Sequence, residues 1–381
     1  MDIQALKHKT PTSPAFVVDE IELLKALQAL SILREQSGCK VLYSIKSLPL
    51  PNVLAFVKPY VEGFSVSSLF EARLADEILA GQGSIHLTTP GIRPDEIKEL
   101  VSICSHISCN SINQYRRVNL ENQDKSSIGL RVNPKISFSD DPRYDPCRQF
   151  SKLGVDVNDL VNGDSINTIK GLHFHTVFGA TQYTALFQTL TKLRSLMGEK
   201  FEVLDWLNFG GGYFYGQIAD NEGFCQVVTQ LRDEFGVDIY IEPGNAIVGK
   251  AGYLLCTVID CFNSDGKAVA VLDTSVNHHP EVFEFQRQPE LVGHDPTGRY
   301  SALLAGSTCL AGDLFGEYRF KRPLQVGERL VFKHVGAYSL VKANRFNGYN
   351  LPDVYMANED QIRRIKQYSY EDYRQQWLGD N

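Results

Sequence analysis

The sequence contains no CxxC pair, and neither His173 nor His175 has a cysteine partner at zinc-finger spacing. The eight cysteines are scattered. This pattern argues against a structural zinc, predicts no metal, and suits reduced thiols in a cytoplasmic protein. No window approaches the roughly 20 apolar residues of a membrane span. The start, MDIQALKHKTPTSPAF, lacks the apolar core of a signal peptide, so neither membrane insertion nor export is expected. Low-complexity and long polar tracts are missing, which argues against disorder. Basic residues form no stripe and the formal net charge is −7, so no nucleic-acid partner is expected.

What is present is apolar and periodic. With 381 residues, 43% of them hydrophobic, the chain can bury a large core as two domains, or as one barrel with an appendage. Eight short β-type runs recur: VLYSIK (41–46), GFSVSS (63–68), SIHLTT (84–89), HISCNS (106–111), SIGLRVN (127–133), GLHFHT (171–176), WLNFGGG (206–212) and DIYIEPG (238–244). Helical patterns such as SLFEARLADEILA (68–80), RPDEIKELVSIC (93–104) and QYTALFQTLTKLRSLM (182–197) lie between them. Alternation argues for a parallel sheet, and eight units over 200–250 residues is the arithmetic of a TIM (β/α)8 barrel. A doubly wound open sheet also alternates, but seldom needs eight equal units. The barrel is expected over 21–250. Beyond residue 250, runs such as GYLLCTVIDCF and YSALLAGSTC are strand-like without helices between them. They predict an all-β second domain over 251–381, which residues 1–20 join through the strand PAFVVDE (14–20). The tail QIRRIKQYSYEDYRQQW predicts a helical closing segment.

In a TIM barrel the chemistry sits at the C-terminal strand ends. Those ends hold Lys46, Ser67 and Ser68, Arg131 and Asn133, His175, glycines 210–212, and Glu242 with Gly244. Singly, each suits an ordinary strand-to-loop transition. Lys46 alone suits a snorkelling surface lysine, and the triple glycine a tight turn. As a set they are polar and glycine-rich in the place a barrel enzyme needs. Consecutive glycine N–H groups can form an anion nest, and EPG supplies a second turn beside it. No G-x-G-x-x-G or GK[ST] is present there, which disfavours dinucleotide or P-loop use. A lysine, a phosphate cradle and a lone carboxylate together suggest pyridoxal 5'-phosphate, joined to Lys46 as a Schiff base with Glu242 holding its pyridine nitrogen protonated.

These residues also carry a resemblance. The whole chain is similar to the fold-type III decarboxylases, whose alanine-racemase-like barrel and β-domain are shared by ornithine, arginine and diaminopimelate decarboxylases. YSIKS resembles the Schiff-base segment, which implies that role for Lys46. SVSSLFEARLA resembles the segment of Ser68 and Glu71. GLHFH implies that His175 stacks on the cofactor ring. NFGGG and EPG imply a cofactor site of Gly211, Gly212, Glu242 and Gly244, with the strand-end Arg131 beside them. GSTCLAGD implies that Cys309 crosses a homodimer interface to protonate the product carbanion. GAYSLVKANRFNGY implies a phosphate-binding Tyr338 and carries the FNG signature. Within the family, RYDPCRQFSKLGV (143–155), NHHPEVFEF (277–285) and CLAGDLFGEYRFKRPLQVGERLVF (309–332) resemble the group that decarboxylates carboxynorspermidine and carboxyspermidine. A cationic substrate of that kind implies acidic contacts, for which Asp273, Asp313 and Glu281 are the candidates, with Glu284 behind them. HTVFG replaces the glycine and serine of ornithine-type enzymes, Asn245 replaces an arginine that often follows EPG, and GGGYFYG lacks the histidine expected in the nearest group. A racemase would want an arginine at the pyridine nitrogen, and a non-catalytic cofactor carrier would lack the β-domain. The competing expectation is therefore a decarboxylase for diaminopimelate or another aminocarboxypropyl compound.

Overall fold

The computed structural model describes residues 3–163 and 168–379. Strand β1 (Ala15–Asp19) leads into the helix Glu20–Ser37. The next strands are β2 (Lys40–Ser44), β3 (Gly63–Val66), β4 (Ser84–Thr89), β5 (His106–Cys109) and β6 (Ser127–Asn133). After the two-residue β7 (Val155–Asp156) come β8 (Gly171–His173), β9 (Trp206–Asn208) and β10 (Asp238–Ile241). β2 to β6 pair in sequence, all parallel; β6 pairs β8, β8 pairs β9, β9 pairs β10, and β10 returns to β2. The ring is closed with eight strands, and β7 hangs on β6 outside it. Closure removes the sheet edges that would otherwise invite aggregation.

The helices form where the apolar spacing predicts them. Leu69–Leu79 buries Leu69, Ala72, Ala75 and Leu79, one face of a 3.6-residue period. It starts at Ser68, whose hydroxyl accepts the Glu71 amide at 3.2 Å, and it ends at Ala80 in the left-handed region.

The N-terminal end of the barrel is plugged by large side chains. Leu42, Trp206 and Tyr240 form a buried cluster. Gly171 makes room for the indole: a Cβ there would lie 2.0 Å from Trp206 Cδ2. Lys40 ties off the same end, with Nζ 2.6 Å from Asp238 and over the Tyr240 ring. His86 and His106 stack beside them, with centroids 3.9 Å apart and planes 8° from parallel. Burial pushes His106 from its ordinary 6.5 to about 4 and His86 well below 6.5. The folded state therefore binds fewer protons than the unfolded chain as pH falls. Stability is full above the unfolded value near 6.5 and is lost toward pH 4. His106→Phe should flatten that loss by up to about 3 kcal/mol, read as the difference in urea-unfolding free energy between pH 7.5 and 4.5. An unchanged pH slope would contradict this assignment.

The chain divides into two compact units, 26–247 and 1–25 with 248–381. The second is built on β11 (Gly252–Ser264), β12 (Lys267–Leu272), β13 (Tyr300–Ala305), β14 (Leu314–Phe320), β15 (Arg329–Lys333), β16 (Asp353–Ala357) and β17 (Ile362–Lys366). Its sheet order is β14-β13-β12-β11-β1-β16-β17, with β15 also on β11. The 13-residue β11 pairs β1 and β15 with its first half. A bulge between Val258 and Asp260 then redirects it to β12. The expected helical tail is half strand: Ile362–Lys366 pairs β16 as an edge strand, and only Tyr370–Gln375 is helical. Its cationic run Arg363, Arg364 and Lys366 suits an exposed edge better than a helix face.

Candidate active site

β2 ends at Ser44, and Lys46 stands in the 3-10 turn Ile45–Ser47 that follows. Two contacts fix this turn against the neighbouring EPG turn. The Ser44 amide donates to Pro243 O at 3.0 Å, and a Cβ on Gly244 would lie 3.2 Å from Ser47 Oγ. The Lys46 side chain is accessible yet surrounded by protein, as expected of a group lining a deep cleft. That burial lowers its pKa. Glu242 and Glu71 oppose the effect, and Arg131 adds to it. A lysine so placed carries more of the free amine than one in water.

Three inward positions form a row beside it. Arg131 on β6, His173 on β8 and Asn208 on β9 are register partners in succession, and Glu242 follows β10. Glu242 is 4% exposed. Its Oε1 accepts Asn208 Nδ2 at 2.8 Å, and its Oε2 faces His173 Nε2 at 3.6 Å. Burial alone would raise the Glu242 pKa. His173, Lys46 and the Asn208 amide together outweigh it and hold the group well below the usual carboxylate range. Burial lowers the His173 pKa, against the opposing pull of Glu242. Arg131 is brought down to about 10 by desolvation, so it remains a cation near neutral pH.

His175 continues this wall. The Gly211 amide donates to its Nδ1 at 3.2 Å, which puts the ring proton on Nε2 in the neutral form. Burial, Arg131 and Lys46 push its pKa well below 6.5. The glycine run is a packing device as well as a turn. A Cβ on Gly211 would lie 2.4 Å from Glu242 O, and one on Gly212 2.0 Å from Val177 O. Gly210 donates to Asn208 Oδ1 at 2.8 Å. The expected nest of three free amides is thus narrowed, since Gly210 and Gly211 are both engaged within the protein. Ser68 is likewise engaged, as the helix cap. Glu71 Oε2 accepts the Ser67 amide at 2.7 Å, and its carboxyl senses Lys46.

The remaining predicted residues belong to the other unit. Asp313 is 2% exposed. Its Oδ1 accepts the Val276 amide at 2.8 Å and its Oδ2 the Thr308 amide at 3.0 Å and hydroxyl at 2.5 Å. Oδ1 thus ties down the turn at Val276 and Oδ2 the turn at Thr308, which gives Asp313 a structural task beside the expected substrate contact. Asp273 is half-buried and accepts the Thr257 amide at 2.8 Å, which ties it to β11. Glu281 opens the helix Glu281–Phe285 and has no hydrogen bond or ion pair among the described residues. It lines a cavity of about 260 Å³ with His279, Phe285, Arg287 and Glu290. Glu284 pairs with Lys342 at 2.6 Å, and Lys342 lies over the Tyr338 ring. Tyr338 holds φ +58, an expensive backbone for a bulky residue. Cys309 is exposed and free, and its amide donates to Asn347 Oδ1 of the FNG segment at 2.8 Å.

Sequence reasoning missed Asn208 and His173. The signal was available, since His173 precedes His175 by two, the spacing of one face of a strand. The barrel-mouth donor set fits pyridoxal phosphate. It combines an amine, a buried carboxylate and a flat imidazole with a glycine surface that any Cβ would obstruct. Buried polar atoms without protein partners cluster at the same strand ends: Thr88 Oγ1, Asn133 Nδ2, Thr176 Oγ1 and both ring nitrogens of His173.

Comparison with known proteins agrees with this geometry. The family described as pyridoxal-dependent decarboxylase, C-terminal sheet domain, matches residues 15–336. The carboxynorspermidine/carboxyspermidine decarboxylase of Campylobacter jejuni is 33% identical over 95% of this chain and 97% of its own. The carboxyaminopropylagmatine decarboxylase of Synechocystis is also 33% identical, over 95% and 94%. The crystal structure of Campylobacter jejuni carboxynorspermidine decarboxylase complexed with norspermidine superposes with TM-score 0.88 at 31% identity, covering 96% of this chain and all of that one. A lysine beside a buried glutamate at the mouth of a (β/α)8 barrel, a sheet domain around it in sequence, and a match across 15–336 make one statement: the chain belongs to the pyridoxal-dependent decarboxylases.

Proposed function

We propose that the protein removes CO2 from a carboxylated polyamine, carboxynorspermidine or carboxyspermidine, to give norspermidine or spermidine. The observation that carries this reading is the lone buried carboxylate, Glu242, set among Lys46, Arg131 and His175 in a chain that matches decarboxylases of that name over nearly its whole length.

Pyridoxal phosphate, when bound, supplies a conjugated ring that accepts the electron pair left as CO2 departs. Lys46 would hold the cofactor, and burial, by lowering its pKa, leaves more of the free amine to do so. Glu242 stays ionised at neutral pH and holds a proton on the ring nitrogen. His175, fixed by the Gly211 amide, would lie against the ring. Arg131 and the Gly212 and Gly244 turns would hold the phosphate, with Tyr338 the further candidate for it. Cys309 Sγ of a second copy returns a proton to the substrate Cα, so the working unit is a homodimer with shared sites. If so, inactive Lys46→Ala and Cys309→Ala subunits should regain, on mixing, up to about a quarter of wild-type activity from hybrid dimers carrying one intact site. No recovery after verified subunit exchange would contradict the shared site.

Of the three acidic candidates, Asp273 and Asp313 also bond within the fold, and Glu281 has its carboxylate free to meet a substrate ammonium. A CO2-release panel tests the substrate: carboxynorspermidine, carboxyspermidine, carboxyaminopropylagmatine, diaminopimelate, ornithine, lysine and arginine. The carboxypolyamines should turn over fastest, and Glu281→Gln should raise their KM roughly tenfold with kcat nearly unchanged. A second reading, favoured by the equal 33% identity to the Synechocystis enzyme, is a substrate with a guanidino end. Preference for carboxyaminopropylagmatine would select it, and preference for diaminopimelate would overturn both.

A further inference from the structure

The pair His173–Glu242 is unusual in one respect. His173 is 1% exposed, and neither ring nitrogen has a hydrogen-bond partner among the described residues. Buried polar atoms are almost always paired, so an unpaired imidazole inside a barrel needs a reason. Its Nε2 stands 3.6 Å from Glu242 Oε2, too long for a hydrogen bond and close enough for strong attraction in a dry site. The other carboxylate oxygen is pinned by Asn208 at 2.8 Å, and Asn208 in turn receives the Gly210 amide. Glu242 is therefore fixed on one side by a hydrogen bond that reaches back to the glycine turn, and faced on the other by a single imidazole.

We propose that His173 is a positioning residue: with Asn208 it sets the plane of the Glu242 carboxylate and holds Oε2 toward the barrel mouth. This rests on the proposed role of Glu242 at the ring nitrogen. Apolar residues of similar size would fill the same space without leaving buried nitrogens unpaired. A histidine retained for packing alone would thus be a poor choice at this position. Register supports the assignment. Arg131, His173 and Asn208 sit level on adjacent strands, so the imidazole lies between the guanidinium strand and the strand of the amide that fixes Glu242.

The test compares His173→Phe, which keeps a ring and removes both nitrogens, with His173→Gln, whose amide nitrogen can stand near the Nε2 position. Three quantities are read: apoprotein Tm, the dissociation constant for pyridoxal phosphate by absorbance titration of the apoprotein, and kcat and KM for CO2 release. The phenylalanine variant should melt at or above the wild-type temperature. It should bind the cofactor about tenfold more weakly and lose about ten- to a hundredfold in kcat, with KM within twofold, as removal of a supporting partner does elsewhere. The glutamine variant should recover most of both losses. Cofactor affinity and kcat within twofold of wild type in His173→Phe would overturn the proposal. So would a lowered apoprotein Tm in both variants with no difference in cofactor affinity between them, which is the behaviour of a merely structural residue. If His173→Phe fails to fold, His173→Ala against His173→Gln carries the same comparison. Glu242→Gln separates the two levels. If it too is unimpaired, the role of Glu242 has failed. If it is impaired while His173→Phe is not, only this inference has.

Discussion

Lys46→Ala is expected to abolish covalent cofactor binding and to lower kcat by about a thousandfold or more, while the fold survives. The side chain follows β2 in a turn whose hydrogen bonds are made by the backbone and by Ser47, which donates to Ser44 O at 2.8 Å. Truncating Lys46 therefore removes chemistry and little structure. It also removes a cation from beside Glu242 and Arg131, so near-ultraviolet circular dichroism and Tm should change little. Purified variant should lack the visible absorbance of the wild-type protein. Retained absorbance with retained turnover would place the cofactor on another amine.

Glu242→Gln should lower kcat by about a hundred- to a thousandfold with a much smaller effect on cofactor affinity. The amide oxygen of glutamine can still accept Asn208 Nδ2, so the side chain keeps its position. What it loses is the negative charge. A neutral partner no longer favours a protonated ring nitrogen, and the electron-accepting power of the ring falls with it. Glu242→Ala should be worse in a different way. It strips Lys46 and Arg131 of a shared counter-charge and leaves the Asn208 amide unpaired, so stability should fall as well as rate. Equal rates for wild type and Glu242→Gln, measured at saturating cofactor, would remove Glu242 from the mechanism.

The sequence made the architecture legible because strand period and helix period alternate cleanly, and polar residues stand where each strand meets its loop. It also brought Lys46, Glu242, His175 and Arg131 into one set, through their shared place at strand ends. Three features were less visible, for physical reasons. Ser68 followed by Glu71 is a local capping pattern, and its hydroxyl and amide contacts answer to the helix, so matching the segment to a cofactor site overlooked its nearer task. Asp313 is held by the amides of Val276 and Thr308, and the contact to Val276 spans 37 residues. No local pattern announces a staple of that length. Asp273 is similar, fixed by an amide on the neighbouring strand. Two of the carboxylates that sequence offered as substrate contacts thus also serve the fold, and Glu281 is distinguished by lacking such partners among the described residues. His173 lay in plain view in GLHFH, but its importance comes from Glu242, 69 residues later in the chain, and from the lack of any other partner.

The central claim is a covalent bond at position 46 opposite the Glu242 carboxylate. The most direct measurement is borohydride reduction of the purified protein, followed by peptide mass spectrometry. The account predicts a phosphopyridoxyl adduct on the peptide that contains Lys46 and on no other lysine. An adduct elsewhere, or none in protein that still releases CO2, would contradict it.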